Sequence, residues 1–143
     1  MDKVSRVISG TWGEVWLDGE YVGECYGAQA KLAYNRESIQ QCRKLMPGKK
    51  LMSVEGTGSL KLYKVNSRMI RAVALKVKDG KDPRFTIISK LDDPDAYGAE
   101  RMSISGVAFD DTTLADWEVG NIGKTENPFT FEDFELLDAI EEG

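Results

Sequence analysis

The chain has 143 residues and a formal net charge of −5, with 41% hydrophobic and 30% charged residues. This composition is typical of a soluble globular protein, and its acidic balance argues against a general binder of nucleic acid or anionic membrane. The length is that of one ordinary domain, so we expect a single domain over residues 1–143. No apolar run approaches the roughly 20 residues of a membrane span, so we expect no membrane insertion by the monomer.

The N-terminal half opens with a predicted hairpin over residues 13–24, "GEVWLDGEYVGE". Two short β-prone runs flank Asp18-Gly19, a dipeptide that readily adopts the positive φ angles of a tight hairpin turn. The next run, residues 26–34, alternates apolar and polar positions and predicts a strand. Its predicted apolar face consists of Ala28, Ala30, Leu32 and Tyr34.

Residues 42–53, "CRKLMPGKKLMS", break the alternation around a Pro-Gly turn signal and predict a protruding loop. Loops seldom carry apolar side chains outward unless a partner covers them, so this loop is a candidate subunit interface. Its basic residues have no interleaved aromatic residues to stack bases, which favours the charged rim of a protein contact. The candidates here are Arg43, Lys44, Leu45, Met46, Pro47, Gly48, Lys49, Lys50, Leu51 and Met52.

Residues 53–65 alternate again and predict a strand with two glycines, Gly56 and Gly58, on its apolar face. Glycines at such positions indicate a bend or the close approach of another backbone. A helix of about 11–13 residues follows, with Asn66 or Ser67 as its cap and Gly80 at its end. Its apolar stripe is predicted to consist of Ile70, Val73, Ala74 and Val77.

The C-terminal half predicts further strands over residues 84–93 and 101–111, separated by a turn-rich loop. The apolar positions of the second strand change parity at Gly106, which indicates a β-bulge. Residues 113–119 alternate as well and predict a strand. Its shared face would carry Thr113, Ala115, Trp117 and Val119.

The last predicted strand, residues 127–138, reads "NPFTFEDFELLD" and changes its apolar face halfway. Phe129 and Phe131 share one parity, whereas Phe134 and Leu136 have the other. A β-bulge at Glu132–Asp133 explains the change, and it would pass Phe134 and Leu136 to a second surface. These two residues therefore join the interface candidates.

The pattern as a whole gives about seven or eight strands and one helix. The predicted fold class is mostly β, with one helix laid against a sheet or barrel.

The sequence offers little for catalysis or metal binding, so we expect no enzyme, no cofactor and no metal site. It contains no histidine, which removes the commonest general base. Two cysteines, Cys25 and Cys42, cannot make a usual four-ligand zinc site, and free thiols in a reducing cytosol are favoured. The fragments "MPGKK", "GTGSLK" and "DDPDAYGAE" each lack required positions of the P-loop, dinucleotide-binding and calcium-loop motifs.

An ordered set of segments carries a family resemblance: "ISGTWGEVWLDGE", "GTGSLKLYKV" followed by a helix, "DGKDPRFTI", "LDD…GAERMSISGVAFD" and "PFTFEDFELL". Together they resemble the XkdM-like tail tube family of the defective phage PBSX. Members of that family occur in contractile-tailed phages and phage-tail-like bacteriocins of Gram-positive bacteria. The resemblance runs from about Ile8 to about Leu137.

The resemblance implies a β-barrel-like sandwich with one flanking helix, similar to other tail tube proteins. It implies hexameric rings that stack into a hollow tube, with the sheath, tape-measure, baseplate and tail terminator proteins as partners. DNA would pass only transiently through the lumen, or the tube would pierce an envelope. The location implied is the virion tail, assembled in the cytoplasm of the bacterial host. The alternatives are an Hcp-like tube protein of type VI secretion and another tail or baseplate component.

Overall fold

The structure is a computed structural model that describes residues 4–140. Short 3-10 turns at Val4–Arg6 and Gly10–Trp12 precede the sheet, and a helical segment over residues 68–78 interrupts the strands. This segment contains a π-helix, Ile70–Ala74, and an α-helix, α1, Leu75–Lys78. The strands are β1 (Gly13–Leu17), β2 (Glu20–Tyr21), β3 (Cys25–Ile39), β4 (Gly48–Tyr63), β5 (Phe85–Leu91), β6 (Glu100–Phe109), β7 (Lys124–Phe131) and β8 (Asp133–Asp138).

All strand pairs are antiparallel, in the order β2-β1-β5-β6-β7-β4-β3, and β8 pairs with β6 beside this path. The sheet curls so that β1 and β3 come into contact. The predicted hairpin is confirmed, because Asp18 and Gly19 have φ angles of 50° and 85° in the turn between β1 and β2. The mostly β fold class is also confirmed.

The concave side of the sheet holds the hydrophobic core, and aromatic rings of β7 reach across to β4. A Cβ on Gly56 would stand 2.5 Å from the ring of Phe131, and one on Gly58 would stand 2.6 Å from the ring of Phe129. The two glycines therefore make room for these rings. At Gly58 a Cβ would also clash with the backbone carbonyl oxygen of Gln29, which confirms the predicted close approach of another backbone at that position. The buried apolar residues are Val15, Leu17, Val22, Leu60, Leu62, Met69, Val73, Phe85, Ile87, Ile104, Val107 and Phe129.

The predicted helix is present, and its predicted apolar stripe is wrong at one position, Val77. The Asn66 side chain accepts a hydrogen bond from the backbone N–H of Arg68 at 3.0 Å, and Gly80 has a φ of 80° just after the helical segment. Val77, however, is exposed, whereas Met69 and Val73 are buried. The π-helical turn contains more residues than an α-helical turn, so the buried face rotates away from Val77.

Two strand predictions need correction. Residues 48–53, predicted as loop, belong to β4, because the chain resumes pairing with β3 directly after Pro47. Residues 113–119, predicted as a strand, lie in a loop in which Trp117 and Val119 are exposed. The alternation of apolar and polar residues does not produce a strand here, because none of the described strands pairs with this segment.

The predicted bulge at Gly106 is confirmed. Phe85 pairs with Val107 but Ile87 pairs with Ile104, so β6 contains one extra residue between these pairs. Gly106 accommodates it with a φ of 66°.

The predicted interruption at Glu132 is also present, between the end of β7 and the start of β8. β7 pairs with both β4 and β6, and its pairing with β4 ends at Phe131. The register with β6 is unchanged across Glu132, since Ala108 pairs with Thr130 and Ser105 pairs with Asp133. The strand therefore separates from β4 while it stays paired with β6.

Candidate assembly surface

The distal halves of β3 and β4 form a two-stranded arm, residues 33–55. β4 pairs with β3 on one edge and β7 on the other between Gly56 and Tyr63, but from Gly48 to Glu55 only β3 pairs with it. Eight residues of strand extend about 25 Å. An isolated two-stranded hairpin is only marginally stable in water, and this part of the arm has no further strand beside it among the described residues.

One face of the arm is apolar and uncovered. Tyr34 lies opposite Val54, and Arg36 lies opposite Leu51 beyond a register shift that leaves Met52 as the extra residue. The exposed fractions of Tyr34, Leu51, Met52 and Val54 lie between 44% and 58%. Val54 has the same parity as the core-facing residues of β4, so this face continues the core side of the sheet beyond its cover.

The arm tip, residues 40–50, brings basic and apolar side chains together. Leu45 and Met46 are 101% and 81% exposed, so the predicted outward position of these side chains is confirmed. Except for the half-buried Pro47, all residues of the arm tip are exposed. The ten candidates of the predicted loop all lie in the arm tip or just beyond it on β4: Arg43, Lys44, Leu45, Met46, Pro47, Gly48, Lys49, Lys50, Leu51 and Met52.

The other two predicted candidates, Phe134 and Leu136, lie on β8 and not on the arm. They are 47% and 50% exposed. Phe134 lies opposite the buried Ile104, and Leu136 lies opposite Met102, so both extend the apolar side of β6. The structure therefore places the twelve predicted candidates on two separate elements.

A second exposed apolar surface was missed by the sequence analysis. The acidic loop, residues 110–123, carries Leu114, Trp117, Val119 and Ile122 with exposed fractions from 68% to 92%. It contains four acidic residues and no basic residue. The signal was in the sequence, because large apolar residues recur there among carboxylates and glycines with no partner element nearby. The acidic residues are Asp110, Asp111, Asp116 and Glu118.

Hydrogen bonds hold the acidic loop in a defined shape. The backbone N–H of Asn121 donates to the carbonyl of Glu118 at 3.1 Å, and its side-chain amide donates to the Glu118 carboxylate at 3.0 Å. The two ends of the loop are fixed as well, because Asp110 N–H donates to the carbonyl of Pro128 and Lys64 N–H donates to the carbonyl of Gly123. The apolar side chains are thus presented by an ordered backbone.

Among residues 4–140, two titratable groups have clearly shifted pKa values, and each shift has a structural cause. Burial raises the pKa of the Cys25 thiol, which donates to the carbonyl of Gly27 at 3.2 Å. Backbone N–H groups of Ser9 and Asp95 donate to the Asp93 carboxylate, both at 2.9 Å, and lower its pKa. Asp93 thereby ties the N-terminal segment to the loop between β5 and β6.

A cleft of about 440 Å³ lies between β1 and β3, and Cys25 is among its lining residues. Within residues 4–140, no group of three or more carboxylate, thiol or imidazole side chains could hold a metal ion. Over the same residues, no helix has the length and apolar character needed to cross a membrane.

Comparisons with known proteins agree with this architecture. The profile of a family described as "Phage tail tube protein" matches residues 2–138. The phage-like element PBSX protein XkdM of Bacillus subtilis is 34% identical over 140 residues, which cover 96% of this chain and 95% of the relative.

Two solved structures share the fold. The sheath–tube complex of the extracellular contractile injection system PVC, in its extended state, contains a chain that is 9% identical with a TM-score of 0.75, and 95% of each chain is covered. The sheath/tube terminator of the same system gives 9% identity and a TM-score of 0.76, with 95% of this chain and 100% of the other covered.

Proposed function

Because the chain belongs to the phage tail tube family, we propose that its copies form hexameric rings, which stack into the hollow tube of a contractile tail. The chain is a structural subunit of a tail tube, and its place is the virion tail. The observation that carries the proposed stacking is the arm, a two-stranded element whose apolar face continues the core side of the sheet without cover.

Ring formation accounts for the open edges of the sheet. Among residues 4–140, the outer edge of the 15-residue β3 has no pairing partner. A long free edge is an aggregation hazard unless another strand or element covers it. In a closed ring each copy covers the edge of its neighbour, and all such edges are removed together.

Stacking accounts for the arm. Its reach of about 25 Å beyond the last three-stranded part of the sheet is long enough to contact another copy. Phe134 and Leu136 on β8 supply a second, separate apolar contact for a neighbour in the same ring. In both places, burial of half-exposed side chains against another subunit supplies the driving force for assembly.

The proposed partners are the sheath protein around the tube, the tape-measure protein inside it, and the baseplate and terminator proteins at its ends. The fold shared with chains of a sheath–tube complex and of a sheath/tube terminator supports this set. The net charge of −5 supports a lumen that repels DNA phosphates, so that DNA slides through without binding. Assembly would take place in the cytoplasm of the bacterial host.

A tail terminator is the second candidate, because the terminator structure matches as well as the tube structure does. The family match over residues 2–138 favours the tube. An Hcp-like tube of type VI secretion is disfavoured by the 34% identity to a phage-like element protein.

Immunogold labelling of purified particles tests the proposal. An antibody against this chain should label the length of the core exposed when the sheath contracts, and it should not label the sheath. Label confined to the end of the core would support a terminator and contradict the tube assignment. A particle that displays an unlabelled core would contradict both assignments.

A further inference from the structure

Two of the exposed apolar elements described above, the arm tip and the acidic loop, carry opposite charges. The arm tip, residues 40–50, has four basic and no acidic residues, whereas the acidic loop, residues 110–123, has four acidic and no basic residues. We propose that the acidic loop of one copy receives the arm tip of a second copy of this chain. This inference rests on the proposed tube function and names the two surfaces that meet when rings stack.

The position of the two elements in the fold makes the contact intermolecular. The arm tip includes the first residue of β4, Gly48. The acidic loop starts beside Pro128, which pairs with Ser59 of β4, and it ends beside Lys124, which pairs with Tyr63. These positions along β4 lie about 35–50 Å from Gly48, so the tip of a chain lies well away from its own acidic loop.

A contact between opposite ends of two copies is head-to-tail, and such a contact either closes into a ring or, where the rotation does not close, continues along an axis. The same pair of surfaces can thus repeat at every step of a tube. A self-complementary contact of tip with tip would instead place four basic residues against four more, and it would stop at two copies.

The apolar side chains of the two elements are matched to this role. Leu45 and Met46 project from the tip, and the acidic loop presents Trp117 and Val119 with exposed fractions of 81% and 92%. Large aromatic residues in the centre of an interface contribute much of its binding energy, and a flexible Met packs well against them. The surrounding charges then set orientation and exclude the wrong partner surface.

A charge-reversal series tests the pairing. The tip variant carries Lys44→Glu with Lys49→Glu, and the loop variant carries Asp111→Lys with Asp116→Lys. Glu118 and Lys50 are left unchanged, because Glu118 holds Asn121 and Lys50 lies opposite Glu37 in the arm. The control variant carries Arg71→Glu with Lys81→Glu. It changes the net charge by the same amount as the tip variant does, at exposed positions on the helical segment and just after it.

Tube formation on purified baseplates is measured by sedimentation and negative-stain electron microscopy. We expect each one-sided variant to need at least about tenfold more subunit for half-maximal assembly, since several charge pairs become repulsive. The variant that carries both reversals should recover most of the wild-type behaviour, and the helix control should assemble normally. Circular dichroism confirms that every variant is folded before assembly.

Disulfide cross-linking tests direct contact independently. Cys42 lies exposed in the arm tip, and Val119→Cys places a thiol on the acidic loop of a Cys25→Ser chain. Oxidised tubes of this variant should give a ladder of covalent multimers on a non-reducing gel. The same chain with Lys81→Cys in place of Val119→Cys should give none.

Normal tubes from both one-sided variants, or no recovery in the double reversal, would overturn the pairing and leave the tube function intact. Tubes without a cross-linked ladder would overturn it as well. A folded wild-type chain that forms no tube on baseplates would instead contradict the tube function and the pairing together.

Discussion

Gly106 of β6 and Glu132, the residue between β7 and β8, lie so close that a Cβ on Gly106 would stand 2.8 Å from the Cβ of Glu132. The backbone N–H of Glu132 donates to the carbonyl of Ser105 at 3.1 Å. Both strands change the parity of their core-facing residues at this level, from Ile104 to Val107 and from Phe131 to Phe134. The matched changes keep the two strands in register.

The contact predicts a large cost for Gly106→Ala. The substitution adds a side chain at a φ of 66° and forces it against Glu132, so we expect a loss of about 2–4 kcal/mol of unfolding free energy. The control is Gly80→Ala, at a φ of 80° with no atom within 4 Å, which should lose only about 1–2 kcal/mol. Urea unfolding measures both, and equal losses would show that the Glu132 contact is unimportant.

Because the apolar residues of the arm are exposed, we expect their replacement to impair tube assembly without unfolding the monomer. Replacing Leu45, Met46, Leu51 and Met52 by Ser should leave the monomer folded, because all four side chains are at least 44% exposed. Tube formation should be lost, since the surface that a second copy covers is no longer apolar. Sedimentation after seeding with baseplates measures assembly.

Leu75→Ser with Val77→Ser removes similarly exposed apolar side chains from helix α1 and serves as the arm variant's control. This control should assemble normally. Loss of the monomer's fold in the arm variant would show that its four residues belong to the core.

Replacing Phe134 is expected to have a mild effect on the stability of the monomer and a stronger effect on tube assembly. Its ring is 47% exposed, so Phe134→Ala should cost about 1 kcal/mol in the monomer and still impair tube formation. Phe129→Ala, by contrast, removes a ring that is 1% exposed and should cost about 3–5 kcal/mol. Thermal unfolding and sedimentation measure the two effects, and a Phe134→Ala chain unchanged in both would remove Phe134 from the interface.

The hydrogen-bonded carboxylate of Asp93 is expected to stabilise the folded chain near neutral pH and to lose this effect in acid. Hydrogen bonds from the N–H groups of Ser9 and Asp95 lower its pKa in the folded chain below the ordinary value of 3.8. Because the pKa of Asp93 is lower in the folded chain than in the unfolded chain, the ionised carboxylate stabilises the fold at pH values above the unfolded pKa. This stabilisation disappears as the pH falls through the folded pKa. The wild-type advantage over Asp93→Asn should therefore shrink below pH 3.8.

Asp95→Asn is the matched control, because the side chain of Asp95 is exposed. Its stability difference from the wild type should change much less over the same pH range. Denaturant unfolding from pH 3 to pH 7, about the span over which carboxyl groups titrate, supplies the comparison. An Asp93→Asn difference that stays constant with pH would contradict the assigned hydrogen bonds.

Local patterns in the sequence predicted much of the fold. The Asp18-Gly19 turn, the glycines of β4 and the parity change at Gly106 each follow from interactions between close neighbours or adjacent strands. The exposure of Val77 did not, because the apolar spacing of an α-helix does not reveal a π-helical turn. Trp117 and Val119 were misplaced for a similar reason, since alternation predicts a strand only where a sheet edge is free to pair.

The candidate surface was predicted in part. Leu45 and Met46 stood out because apolar residues beside Pro47-Gly48 have no local reason to be buried. A protruding segment at residues 42–53 was predicted, but its two-stranded form and its length were missed, because the length is set by where β7 stops pairing with β4, a long-range property. The acidic loop was missed because the alternation of residues 113–119 favoured a strand, although large apolar residues among carboxylates and glycines were visible in the sequence.

Negative-stain electron microscopy of the purified chain, across a concentration series and then with purified baseplates as seeds, tests whether the chain forms a tail tube. We expect hollow tubes of uniform diameter whose end views show six-fold rings, with elongation from the baseplates at subunit concentrations too low for spontaneous assembly. Folded subunits that remain as small single particles beside intact baseplates would contradict the assignment of this chain to the tail tube.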